Sequence, residues 1–296
     1  MDKLEFYIVD VFAETQLTGN QLAVFNNAKS LSTDKMQRIA REMNFSETTF
    51  ITSNEDQENG FDVRIFTPQK ELPFAGHPTL GTAYVIQSEI LKKHVDKIYL
   101  NLKVGQIPVT LKYKNNQIDI VWMKHNTPIF GREFGPEQWT EILGLEEDDF
   151  EENSPICEVS TGAFCFIAPL KTLDAVKRAK INLNKFYEFI ETTEAKVILI
   201  FVKETYKEDN DLNARFFAHY LGVPEDPATG SANGCLAAYL IKYNSFGRNK
   251  IDVRVEQGYE MGRPSLLILR AEEKGDVIDV NVGGKVFMVA KGRFFI

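Results

Sequence analysis

ELPFAGHPTLGTAYVI at 71–86 and EDPATGSANGCLAAYLI at 225–241 are the stretches whose reading decides the fold. Each follows a short strand signal, Arg64-Ile65-Phe66 before the first and Arg215-Phe216-Phe217 before the second. At an offset of 154 residues (225 minus 71), Glu71 matches Glu225, Pro73 matches Pro227, Gly76 matches Gly230 and Ala83 matches Ala237. The flanks agree: VGQIPVTLKYKNNQIDIVW at 104–122 and MGRPSLLILRAEEKGDVIDVNV at 261–282 each read strand, polar turn, strand. The chain therefore reads as an imperfect duplication.

Each half holds a run of strands, a turn with Pro and Gly, and a helix just after the glycine. The first helix, Thr79 to Ile90, carries Leu80, Ala83, Tyr84, Val85 and Ile86; the second, at 232–241, carries Cys235 through Ile241. Helices apolar on nearly every side belong inside a curved sheet, so each sheet is expected to wrap its own helix. Amphipathic segments at 33–43 (with Ser32 as its cap), 135–144, 172–180 and 183–191 read as peripheral helices. The acidic run at 146–153 reads as a solvated loop. Punctuation by Pro128 and Gly131 sets the domain boundary, giving an N-terminal half of residues 1–126 and a C-terminal half of 127–286. The final strand, 287–296, could return to either half.

A chain of 296 residues with 44% hydrophobic content is long enough for two cores and needs no disulfide or metal to fold. Cys157, Cys165 and Cys235 lack CxxC spacing, which fits a reducing cytoplasm. The opening MDKLEFYIVDVF reads as an alternating strand rather than a signal peptide, and no run of about 18 apolar residues suggests a membrane span. Net charge is -8, with scattered Lys and Arg, which argues against nucleic-acid binding.

The turns Phe74-Ala75-Gly76-His77-Pro78 and Ala228-Thr229-Gly230-Ser231-Ala232 open the two apolar helices. Their first N–H groups have no intrahelical acceptor and the helix dipole favours an anion, so substrate carboxylates could sit there. His77 precedes a proline and is expected to be extended, its ring pointing outward as an acid or donor. His94, His125 and His219 lack a comparable setting and read as ordinary polar residues. Glu47, in NFSETTFI (44–51), stands at a strand entry where partial burial would suit a general base.

VDVFAETQLTGNQLAVF (9–25), NFSETTFI (44–51), RIFTPQKELPFAGHPTLGTA (64–83), ARFFAHYLGVPEDPATGSANG (214–234) and QGYEMGRPS (257–265) together resemble the PhzF-like, phenazine-biosynthesis-like family along essentially the whole chain. The resemblance implies an α+β, diaminopimelate-epimerase-like fold: two pseudo-symmetric domains, each a mostly antiparallel sheet around a central apolar helix, with the active site between them. It implies a cofactor- and metal-independent isomerase moving a carbon-bound proton within a small carboxylate-bearing metabolite. Glu47 is then the proton-transferring residue, with His77 and Asp226 as further catalytic groups and Asn20, Gly76, Gly230 and Ser231 binding substrate. Similar proteins pair as homodimers, which is the expectation here. Related epimerases and proline racemases use two facing cysteines, whereas this chain has Ala75 and Thr229 at those turns.

Two rival readings follow from the same residues. Ser231, His77 and Asp226 are the residue types of a hydrolase triad, yet TGSANG does not fit the G-x-S-x-G elbow. A non-catalytic metabolite binder on the same fold would have no need of a basic group beside both turns.

Overall fold

Nearly every residue of the first apolar helix, Gly76–Val85, is buried, and strands from one half of the chain surround it. The computed structural model describes residues 3–53 and 60–296. The chain divides into Met1–Lys124 with Gly283–Ile296, and His125–Val282. The strand expected from the start of the chain begins at Lys3; Met1 and Asp2 lie outside the described residues.

The first unit runs β1 (Lys3–Val11), β2 (Asn20–Phe25), α1 (Thr33–Met43), β3 (Glu47–Ile51), β4 (Phe61–Phe66), β5 (Glu71–Leu72), α2 (Gly76–Val85), β6 (Lys97–Leu102), β7 (Gly105–Lys114) and β8 (Gln117–Lys124). Ser32 caps α1 as its position predicts, its hydroxyl accepting from the Lys35 N–H at 3.2 Å. Asn115 and Asn116 both have positive φ in the two-residue β7–β8 turn, the left-handed pair that matches strand twist there. Gly81 is where α2 meets the sheet: a Cβ would lie 2.6 Å from Leu22 Cδ2 and 2.8 Å from Val11 Cγ2, so only glycine permits that approach.

The second unit runs β9 (Ile129–Phe134), α3 (Glu137–Leu143), β10 (Ile156–Ser160), β11 (Phe164–Pro169), α4 (Leu173–Arg178), α5 (Leu183–Ile190), β12 (Ile198–Val202), β13 (Leu212–Ala218), β14 (Val223–Asp226), α6 (Gly230–Lys242), β15 (Lys250–Gln257), β16 (Ser265–Lys274) and β17 (Val277–Gly284). The last strand, β18 (Val286–Phe295), pairs antiparallel along all of β1, so the chain's end completes the first unit. The acidic run is exposed as its composition suggests except at Phe150, which is buried, and Asp149, which closes a capping box with Glu146 and pairs with Arg178 at 2.6 Å.

The duplication is explicit in the pairing. In the first unit β1 and β2 are antiparallel, β2 and β3 parallel, β3 and β4 antiparallel, and β4 then meets β6 in parallel and β5 antiparallel. In the second the same sequence of directions joins β10, β11, β12 and β13, and β13 meets β15 in parallel and β14 antiparallel. Helices α2 and α6 lie against the strands of their own units, which are mostly antiparallel. Outside each sheet a second apolar layer forms: Met36 and Ile39 of α1 on Phe25, Phe50 and Phe66, and Trp139, Val176 and Phe186 of α3 to α5 on Phe166 and Ile198.

Equivalent side chains repeat as well. Arg64 grips Glu71 through Nε and Nη2, both at 2.8 Å, and Arg215 grips Glu225 in the same way at 2.9 and 3.0 Å. Each guanidinium lies over the ring two residues on, Phe66 or Phe217. Among the described residues no helix is long and apolar enough to cross a membrane.

Candidate active site

Glu47, His77 and Asn20 come together at one end of the first unit. Parallel pairing of β2 with β3 sets Leu22 beside Glu47, bringing Asn20, at the start of β2, to the same end of the sheet. The His77 Nε2 lies 3.5 Å from Glu47 Oε2, and Asn20 Nδ2 lies 3.3 Å from the other ring nitrogen, Nδ1. His77 and Asn20 are buried, whereas the Glu47 side chain keeps 17% exposure, enough to meet a ligand.

His77 departs from its expected placement. It lies within the first turn of α2, which begins at Gly76, and its ring is inside rather than outward. The restriction on a residue before proline is a bias, and Pro78 sits in the first helical turn, where a missing N–H costs no hydrogen bond. Burial pushes the imidazole down to about 3, outweighing the backbone carbonyl of Gln21, which favours the charged form. At neutral pH the contact therefore joins a carboxylate to a neutral ring. Ala75, the N-cap, has no side chain with which to cap the helix, and the Gly76 and His77 N–H groups stand at the helix start, where no intrahelical carbonyl accepts them.

The second unit repeats the turn with different wiring. Asp226 ends β14 and is buried; its Oδ2 accepts from the Thr229 hydroxyl. Thr229, the N-cap of α6, thus spends its hydroxyl on Asp226 and makes no side-chain cap. Gly230 and the partly exposed Ser231 form the first turn, equivalent to Gly76 and His77. Asn233 Nδ2 donates to Thr229 O at 3.0 Å, as Thr79 Oγ1 donates to Ala75 O at 2.7 Å in the first unit.

Sequence reading gave no role to Thr229, Asn233 or Gln257. The fully buried Gln257 reaches Asp226, Thr229 and Asn233. A signal was available in Gly258, the next residue: it has φ +78, and a Cβ there would lie 2.7 Å from Pro227 O. That loop must touch the Asp226 turn through bare backbone.

The remaining candidates separate cleanly. The His77 Nδ1 lies near Asn20 and its Nε2 lies nearest Glu47, both residues of the first unit. Cys235 is buried in α6 with its thiol pushed up to about 11 by desolvation, and burial raises Cys157 and Cys165 also, so no thiolate nucleophile forms at neutral pH. Among the described residues no three His, Cys, Asp or Glu side chains gather as a metal site would.

His125 is less ordinary than it reads. It is buried against Gly234 of α6, its Nδ1 3.1 Å from Thr161 Oγ1, and desolvation lowers it to about 4. Two buried neutral histidines make the fold acid-sensitive. An unfolded histidine titrates near 6.5, so below that pH the unfolded chain binds protons that the folded chain refuses. Stability is complete above pH 6.5 and falls as pH drops towards the folded values of about 3 and 4. Each histidine contributes up to about 1.4 kcal/mol per pH unit. Denaturation series should show His125→Gln flattening this decline; a slope equal to wild type would contradict it.

Comparison with known proteins supplies what the geometry lacks. A family model described as "Phenazine biosynthesis-like protein" matches residues 9–292. The trans-2,3-dihydro-3-hydroxyanthranilate isomerase of Pseudomonas aeruginosa is 32% identical, over 98% of this chain and 99% of that protein. The crystal structure of the Bacillus anthracis phenazine biosynthesis protein, PhzF family, superimposes with a TM-score of 0.90 at 28% identity, covering 100% of both chains. A hydroxyproline epimerase from Agrobacterium vitis shares the fold alone, with a TM-score of 0.64 at 9% identity over 99% of this chain and 91% of that one.

Proposed function

The chain belongs to the phenazine biosynthesis-like PhzC-PhzF family of isomerases, and on that premise we propose that it moves a carbon-bound proton within a small carboxylate-bearing substrate by general acid–base catalysis, without cofactor or metal. The observation that carries the reading is the Glu47 carboxylate held 3.5 Å from a buried, neutral imidazole, at the end of the unit where α2 begins.

Each residue has a role that its chemistry suits. The Glu47 carboxylate takes a proton from carbon and becomes a carboxylic acid, while the electron pair left behind spreads into the substrate's unsaturated system. Gly76 in the first unit, and Gly230 and Ser231 in the second, are the substrate-binding residues of this reading, each at a helix start whose backbone N–H groups suit a carboxylate and the charge that develops. Glu47 then returns its proton to a second carbon, so the product is an isomer and the enzyme is restored. His77, being neutral, can steady the carboxylate without neutralising it, and Asn20 at Nδ1 sets which ring nitrogen carries the proton. Asp226, fixed by Thr229, orients polar groups of the substrate.

Trans-2,3-dihydro-3-hydroxyanthranilate is the first substrate to try, because a relative is named for it. Proton NMR of that compound with the purified chain should show conversion to an isomer of the same mass. Saturable binding with no conversion would favour the non-catalytic binder instead.

A further inference from the structure

We propose that Gln257 is a positioning residue: through Thr229 it fixes the orientation of the Asp226 carboxylate and of the first turn of α6. The inference rests on the roles given above to Asp226 and to that turn.

Gln257 ends β15 and is fully buried, and its amide is engaged on both sides. Nε2 donates to the Asp226 backbone carbonyl at 2.8 Å and to Thr229 Oγ1 at 3.3 Å. Oε1 accepts from Asn233 Nδ2 at 2.8 Å and from the Thr229 N–H at 3.4 Å. An amide has two N–H donors and two acceptor directions, so the side chain is saturated by one turn.

The consequence lies in the Thr229 hydroxyl, which has a single hydrogen to give. Because Gln257 supplies a donor to Oγ1, that hydrogen is directed to Asp226 Oδ2. Had residue 257 been an acceptor there, the hydroxyl would turn to it and release Asp226. The same grip fixes the Thr229 backbone, which sets the direction of the Gly230 and Ser231 N–H groups that follow.

Among its described residues the first unit shows no such device. At the equivalent turn stands Ala75, without a hydroxyl, and the strand register that sets Asp62 opposite Asn101 and Asn213 opposite Glu256 makes Leu102, with no amide to offer, the counterpart of Gln257. A residue kept only to close the duplicated fold would recur in both halves.

Gln257→Glu is the test, since it keeps the shape and replaces the donor by an oxygen. As an anion, the introduced carboxylate faces the Asp226 carbonyl and Thr229 Oγ1 with no hydrogen; once protonated, it regains one. On trans-2,3-dihydro-3-hydroxyanthranilate at neutral pH, kcat should fall about 10²-fold, the cost of a small misplacement of a reacting group. KM should move less, and activity should recover as pH is lowered, along a limb that wild type lacks. A pH profile parallel to wild type overturns the proposal.

Should wild type leave that compound unchanged, the functional reading fails, and a ligand-free measurement still decides this one. In carbon-13 NMR of the carboxylates, Gln257→Met should raise the titration midpoint of Asp226, because the turn loses the grip on Thr229 that holds its hydroxyl against the carboxylate. An unmoved midpoint overturns the inference. If neither Gln257 variant folds, Thr229→Val, which removes only the hydroxyl, should raise the Asp226 midpoint alike, and no rise counts against the proposal.

Discussion

Glu47→Gln lowers kcat on trans-2,3-dihydro-3-hydroxyanthranilate by about 10²- to 10⁴-fold, the range that general acid–base catalysis contributes. Glutamine preserves the volume and the hydrogen-bonding reach of the side chain but cannot hold the travelling proton. Its neighbour His77 is neutral, so losing the carboxylate's charge strands no imidazolium, and the thermal midpoint should stay close to wild type. KM should change far less than kcat, because the helix N-termini and not Glu47 hold the substrate's carboxylate in this account. A variant turning over within a few-fold of wild type would remove Glu47 from the mechanism.

The second large effect is on stability, and the duplication supplies its control. Arg215 is 8% exposed, grips Glu225 with two hydrogen bonds, and also donates through Nη1 to Val176 O at 2.8 Å and Ala179 O at 3.0 Å, at the end of α4. Arg215→Met abandons a largely buried carboxylate and two helix-end carbonyls, a loss of about 3–5 kcal/mol. Arg64→Met removes the equivalent ion pair where the arginine side chain is 28% exposed and Lys103 also reaches Glu71, at 2.7 Å. Its cost should be about 1 kcal/mol. Pairing Arg215→Met with Glu225→Leu should recover much of the loss, since replacing both charges strands neither. Chemical denaturation of the variants decides this, and equal losses at the two arginines would contradict it.

How far the fold and site were legible depended on how local each signal was. The apolar helices after Gly76 and Gly230 announced themselves in composition, and their burial follows from it. Ser32 is likewise a local signal, and it caps α1 as read. Arg64-Ile65-Phe66 and Arg215-Phe216-Phe217 marked matching strands, but their ion pairs did not show. Glu71 lies 7 residues after Arg64 and Glu225 lies 10 after Arg215, so no constant spacing betrays them.

The misreadings share a cause. The position of His77 before a proline suggested an extended residue, and the bias yielded to a helix whose first turn tolerates proline. His125 looked ordinary because its burial depends on Gly234, more than a hundred residues away, lacking a side chain. Gln257 meets residues 24 to 31 positions before it, across a turn between β14 and α6, so no periodicity in its own strand marks it. Glu47 became a candidate base through the family motif around it; its neighbour His77 is 30 residues away in sequence and only folding joins them.

The central claim is that this chain moves a carbon-bound proton by way of Glu47. The most direct test follows trans-2,3-dihydro-3-hydroxyanthranilate in deuterium oxide by proton NMR, with wild type and with Glu47→Gln. The account predicts an isomer carrying its hydrogen on a different carbon with wild type, partly replaced by deuterium while Glu47 holds it, and next to no change with the variant. Equal conversion by both proteins, or tight binding by wild type with every carbon-bound hydrogen left in place, would contradict it.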